Sequence, residues 1–254
     1  MPVQIKRYGW VRDLPDQRDH VYSAPLVALP KLPEKVDLRP QCPPVYNQGE
    51  LGSCTANALA AAVQFGELKE KQKSPFAPSR LFIYYNERVL EHTVASDSGA
   101  QLRDGMKTLA KQGVCPEADW PYDIAKFADK PPEKCFLEAT DHKVTVYQRL
   151  VQNLTQMKGC LASGFPFVFG FTVYDSFESP QVAKTGIVPL PNTGEQVLGG
   201  HAVMAVGYDD GQHVFIVRNS WGDAWGMKGY CAMPYSYLTQ ADLSSDFWTV
   251  SFVK

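Results

Sequence analysis

No stretch of 18 consecutive apolar residues occurs in the sequence; its most apolar run, Phe165-Pro-Phe-Val-Phe-Gly-Phe171, is the length of a strand. That argues against a membrane-inserted helix. There is no basic block either. The 25 Lys and Arg stand against 27 Asp and Glu, a formal net charge of −2 spread along the chain, so nothing points to a nucleic-acid partner. The absence of any C-x-x-C pair argues against a zinc ribbon or a thioredoxin-type site, and no metal or cofactor is expected. Six cysteines (Cys42, Cys54, Cys115, Cys135, Cys160 and Cys231) are too few for a disulfide scaffold in 254 residues. If one is a free nucleophile, five remain, and five cannot all pair within one chain. The opening residues Met1 to Trp10 lack the continuous apolar core of a signal peptide, so the chain reads as a soluble protein with no visible export signal.

What is present suffices for a sizeable core: 44% of residues are hydrophobic and 20% charged. At this length one domain, or two lobes sharing a cleft, is expected. Residues 1–36 form an extension rich in Pro, Asp and Arg, with prolines at 2, 15, 25, 30 and 33 that oppose a long helix. Its Tyr8, Trp10 and Tyr22 favour an arm docked on the body over a solvated tail.

Residues 37–145 read as a mainly helical lobe. Cys54 to Lys71 has a small, apolar interior behind a candidate N-cap, Ser53. A second helix starts at Ser79, and a third, over 101–112, stops at Gly113. From 146 to 254 the period changes, and Phe167–Val173, His201–Tyr208, His213–Asn219 and Phe247–Val253 read as strands between Gly, Pro and Asp clusters. Helices first and strands later give an α+β fold with segregated lobes.

Three residues carry chemistry. Cys54, on the first turn of a helix, lies where the partial positive charge of the helix end favours thiolate over thiol. The bland alternative is a small core residue. His201 and Asn219 lie on two strands joined at Asp209-Asp-Gly211. A three-residue loop there sets the hairpin centre at residue 210 and pairs 201 with 219 on one face; a two-residue turn would separate them. Two glycines, Gly199 and Gly200, precede the histidine and leave room for a substrate backbone. The bland alternative for His201 is a structural histidine at a strand end.

At this point the sequence resembles the papain family of cysteine peptidases, which includes the cathepsins, in a bacterial-type form with a short extension. Leu32-Pro-Glu-Lys-Val-Asp-Leu-Arg39 looks like the mature amino terminus of such enzymes. Asn47-Gln-Gly-Glu-Leu-Gly-Ser-Cys54 resembles the segment with their oxyanion glutamine and nucleophile. Gly200-His-Ala-Val-Met-Ala-Val-Gly-Tyr208 resembles the histidine strand. The most specific match is Val217-Arg-Asn-Ser-Trp-Gly-Asp-Ala-Trp-Gly-Met-Lys-Gly-Tyr230, which resembles the asparagine segment. His201 and Asn219 follow Cys54 by 147 and 165 residues, the latter somewhat beyond the family's usual 130–150.

The resemblance implies a papain-like two-lobed fold, a helical lobe and an antiparallel β-barrel-like lobe with the site in the cleft between them. It implies peptide hydrolysis by Cys54 as nucleophile, His201 as base and acid, and Asn219 as the group that orients the ring. Gln48 and the Cys54 N–H would form the oxyanion hole, where losing one donor typically costs ~10²–10³ in rate. Trp221 would shield the His–Asn bond. Ser98, Gly99 and Ala100 stand where such enzymes bind the substrate backbone, with Gly199 and Gly200 on the opposite wall. Leu51 and Thr55 depart from the local signature, removing a cysteine and an aromatic but no catalytic group. Cys115 and Cys135 flank a Pro/Trp/Tyr-rich loop and are the candidate disulfide, with six reduced thiols as the alternative.

The extension is shorter than family pro-segments, and either covers the cleft of a zymogen or braces the lobes. The expected partner is a peptide or protein substrate met by a monomer, with endopeptidase action favoured. A catalytically silent binding protein on the same fold, or an acyl transferase using the same triad, are the other readings.

Overall fold

A computed structural model describes residues 8–25, 29–70 and 76–251; the first seven residues of the extension, the far end of the first helix at 71 and the last strand beyond 251 lie outside the described residues. In chain order the elements are β1 (Trp10–Val11), β2 (Val21–Tyr22), β3 (Lys35–Asp37), α1 (Cys54–Lys69), α2 (Arg80–Leu90), β4 (Ala100–Gln101), α3 (Leu102–Lys111) and α4 (Glu133–Ala139). There follow β5 (Val146–Leu150), α5 (Leu154–Ala162), β6 (Phe167–Tyr174), α6 (Pro180–Thr185), β7 (Val197–Asp209), β8 (Val214–Arg218), β9 (Tyr230–Pro234), α7 (Tyr235–Thr239) and β10 (Ser244–Ser251). Helices concentrate in the first half and strands in the second, an α+β arrangement.

The main sheet runs β2-β5-β10-β6-β7-β8-β9, with β3 added beside β7. It is antiparallel except where β2, from the extension, pairs in parallel with β5. Its β6 strand is buried on both faces through Phe171, and Phe169 stacks on Phe247 at 5.5 Å. That two-sided burial is why Phe167 to Phe171 reads as a continuous apolar run.

α1 packs against α2 and α3 on one side and against β6, β7 and β10 on the other. Its first ten residues are all buried, which matches a sequence of alanines with no polar stripe. α2 is capped as its sequence predicts, the Ser79 hydroxyl accepting from the Phe82 N–H at 3.1 Å. α1 is not. Ser53 holds the N-cap position without a capping bond, because its hydroxyl is engaged by Tyr122 and Asn57. All six cysteines are free; the Cys115 and Cys135 thiols act on each other but are not joined in the disulfide that sequence suggested.

The β7–β8 hairpin also departs from expectation. Its loop is four residues, 210–213, and Asp209 pairs with Val214. Continued unbroken, that register would put Asn219 on the face opposite His201. A bulge restores it: Gly207 pairs with Ile216 but Ala205 with Val217, leaving Val206 as the extra residue. His201, Val203 and Ala205 therefore share a face with Val217 and Asn219.

Candidate active site

The bulge brings the His201 Nε2 and Asn219 Oδ1 atoms to 2.8 Å, in a site where His201 is fully buried and Asn219 is 2% exposed. The Ser220 N–H also donates to that Asn219 oxygen at 2.8 Å, which identifies it as oxygen and not nitrogen. An oxygen there accepts only, so Nε2 carries the ring proton. Nδ1 is then the basic nitrogen, buried and without a partner among the described residues. Trp221 lies over this pair, its ring 5.0 Å from that of His201 and tilted by 32°.

Cys54 begins α1 and is fully buried. The backbone N–H groups of Ala202, the residue after His201, and of Gly9 in the extension act on its sulfur and favour the thiolate. Burial pushes the thiol up to about 12 despite those donors. Burial also pushes His201 down to about 4, against the pull of Asn219. With the extension in place the site therefore holds a neutral thiol and a neutral imidazole, the reverse of the thiolate expected from a helix terminus alone.

The loop before Cys54 is fixed to the loop after Asn219. The Gln48 N–H donates to Ser220 O at 2.8 Å, and the Ser220 hydroxyl donates to Gln48 Oε1 at 2.6 Å. These bonds orient the Gln48 amide nitrogen, one of whose protons goes to Leu51 O at 2.9 Å. Sequence reasoning missed Ser220, and it missed Tyr122. The Tyr122 hydroxyl donates to Gln48 O at 2.9 Å and lies 2.5 Å from the Ser53 hydroxyl. Arg80 stacks on the Tyr122 ring at 3.9 Å and donates to Asn47 O at 3.1 Å. Only the cluster Trp120-Pro121-Tyr122 hinted at such a role, since the contact spans 74 residues. Behind α1, Thr55 donates to the buried Glu87 at 2.9 Å, and burial holds that carboxyl well above its usual range, so it is neutral beside the thiol.

Over Cys54 and His201 lies the extension. Gly9 O accepts from the Ala100 N–H at 2.7 Å, and β1 pairs in parallel with β4. The approach is so close that a Cβ on Gly9 would sit 1.6 Å from Gly52 O. On the other wall, Tyr8 packs against Gly199 and Trp10 against Gly200 and Gly170. The Tyr8 ring meets His201 edge-on at 6.2 Å, and its hydroxyl donates to Glu178. Gly99, Ala100, Gly199 and Gly200 thus all face the extension, whereas the Ser98 hydroxyl turns back to Gly99 O at 3.2 Å. Among the described residues no His, Cys, Asp and Glu cluster could hold a metal, and no helix is long and apolar enough to cross a membrane.

The family model for papain family cysteine proteases matches residues 32–248. An uncharacterized peptidase C1-like protein of Acanthamoeba polyphaga mimivirus is 44% identical, with 98% of this chain and 88% of that protein covered. Chymopapain of Carica papaya is 30% identical over 78% of this chain and 54% of its own length. Among solved structures, xylellain, a cysteine protease from Xylella fastidiosa, aligns with a TM-score of 0.92 at 46% identity, covering 97% of this chain and 96% of the other. Procathepsin L 3 of the Tenebrio molitor larval midgut aligns with a TM-score of 0.70 at 20% identity, covering 87% and 70%, a likeness of fold.

Proposed function

The chain belongs to the papain family of cysteine proteases, and on that premise we propose that it is an endopeptidase working through Cys54, His201 and Asn219, and held shut by Tyr8 to Trp10 of its own extension. The observation that carries this reading is the buried His201–Asn219 bond, with its basic Nδ1 left without a partner among the described residues and the backbone of the next residue, Ala202, acting on the Cys54 sulfur.

Once the extension lifts, water reaches the site and the thiol proton passes to His201 Nδ1. The thiolate attacks the peptide carbonyl carbon, and the oxyanion takes hydrogen bonds from the Cys54 N–H and from the remaining amide proton of Gln48. The imidazolium returns its proton to the leaving nitrogen, the C–N bond breaks and a thioester remains. Water, deprotonated by Nδ1, then attacks the thioester and releases the carboxylic acid and the thiol. Asn219 keeps the ring in the one orientation that presents Nδ1.

The extension is bound as a plug and not as a substrate. Its Gly9 carbonyl accepts from the Ala100 N–H and so is not presented as a scissile carbonyl, while the Gly9 N–H is the group that acts on the Cys54 sulfur. Next to the loop that leads to Cys54 lies a pocket of about 570 Å³ lined in part by Glu50, Leu51, Asp97, Ile124 and Phe127, which leaves room for substrate residues on that side. A peptide blocked at both ends should be cut at an internal bond. Cleavage confined to peptides with a free terminus would overturn the endopeptidase reading.

On the same account Tyr122 positions the oxyanion loop. Tyr122→Phe removes one hydrogen bond to Gln48 O, about 1 kcal/mol, and should lower kcat about fivefold with KM nearly unchanged. A change confined to KM would contradict that role.

A further inference from the structure

We propose that the extension is a pH-operated gate that closes in acid and opens toward neutral pH, because docking buries its Asp13 carboxyl beside Asp246 of the body. This rests on the plug reading above.

Asp13 lies three residues after Trp10 and is 6% exposed; Asp246 is 2% exposed. The Asp13 N–H donates to Asp246 Oδ2 at 2.7 Å, and the Trp10 indole N–H reaches the same oxygen at 3.2 Å. Asp246 has a left-handed backbone (φ 59°) within an irregularity of the β10–β6 pairing, the geometry that turns its carboxylate toward the extension. Asp13 in turn accepts only from neutral donors, the Arg103 backbone N–H at 3.1 Å and the Trp248 indole at 2.9 Å.

Among the described residues no guanidinium bonds the Asp13 carboxyl, although the charge of Arg103 favours its ionised form. The Arg103 guanidinium holds Asp19, at 3.0 and 2.7 Å, and Leu14 O. Arg149 is shared between Asp19 at 3.1 Å and Asp246 at 3.4 Å. Arg12 is exposed and donates to Ser245 Oγ and Ala241 O. Three aspartates therefore face two buried or half-buried guanidinium groups, an excess of one negative charge that a carboxyl proton taken up on docking cancels. The Asp13 charge also raises a further acid, Glu91.

Burial, then the field of Asp246, pushes Asp13 up to about 6 in the docked state. Burial also raises Asp246, raises Glu91 to about 7, and raises Glu178 beneath Tyr8. A carboxyl that binds its proton more tightly when docked favours docking fully below the ordinary carboxyl range. That advantage is lost by up to about tenfold per pH unit from there up to about 6, and is gone above it. The Cys54–His201 pair adds no slope: neutral thiol with neutral imidazole carries the same number of protons as thiolate with imidazolium. Asp19, held by both arginines, keeps the later part of the extension tied down while the earlier part moves.

The Ala100 amide, bonded to Gly9 O, reports docking in the full chain. Its hydrogen-exchange protection, corrected for the intrinsic rate, should fall by up to about tenfold per pH unit between the ordinary carboxyl range and about pH 6 and level off above it, and Asp13→Asn should flatten that slope. Protection that is flat or rises with pH in the unmodified chain overturns the gate, and an undiminished slope in Asp13→Asn overturns the assignment to Asp13. The plug itself is tested separately, by alkylation of Cys54 at pH 5 in Gly9→Ala and in the unmodified chain. Faster alkylation in the variant with a flat protection profile would remove the gate alone; equal rates would remove the plug.

Discussion

Cys54→Ala is expected to abolish peptide hydrolysis, a fall in kcat of about 10⁴–10⁶ measured on enzyme whose extension has been displaced. The size follows from the geometry. Of the six cysteines, Cys54 is the one on whose sulfur the backbone of Ala202, next to His201, acts. Cys54→Ser should be nearly as inactive, because His201 can share the proton of a thiol far more readily than that of an alcohol. His201→Ala should cost a similar factor, and the double variant little more than either single one, since the two side chains act on one proton. Residual activity within tenfold of the unmodified enzyme would contradict the assignment.

Gly9→Ala should do the opposite and raise activity. A Cβ at this position would meet Gly52 O at 1.6 Å and Gly52 C at 2.3 Å, both main-chain atoms at the end of the loop that leads to Cys54. Neither can move without disturbing α1, so the extension must retreat. Retreat breaks the Gly9–Ala100 bond and withdraws Tyr8 and Trp10 from Gly199 and Gly200. Overpacking of this kind costs about 1–3 kcal/mol or more, which converts to about a hundredfold in the open fraction at the upper end. Hydrolysis of a fluorogenic peptide at pH 5 should increase by roughly that factor, with thermal stability of the body little changed. Unchanged activity would show that the extension braces the lobes without closing the cleft.

The sequence disclosed the elements better than their long-range joints. α1 and α2 begin, and α3 begins and ends, within one residue of expectation, because small residues, a serine cap and Gly113 are local signals. So do β6 and β8. The hairpin between β7 and β8 was read with a loop one residue too short, and the bulge at Val206 that rescues the face of Asn219 has no signal in a strand of alternating Val, Met and Ala. Ser53 looked like a cap from its position, yet its hydroxyl serves Tyr122, 69 residues away. Ser220 and Gln48 meet across 172 residues. The aromatic content of the extension implied docking, but not that Gly9 would be the residue laid on Cys54. The helix-terminus argument for a thiolate is sound for an open site; under the extension, desolvation outweighs it.

The most direct measurement is to treat the Gly9→Ala chain with an irreversible epoxysuccinyl inhibitor and locate the adduct by peptide mass spectrometry. A single adduct on Cys54, lost in His201→Ala and slow in the unmodified chain at pH 5, is the predicted result. An adduct on any other cysteine, or none at all in the displaced form, would contradict the account.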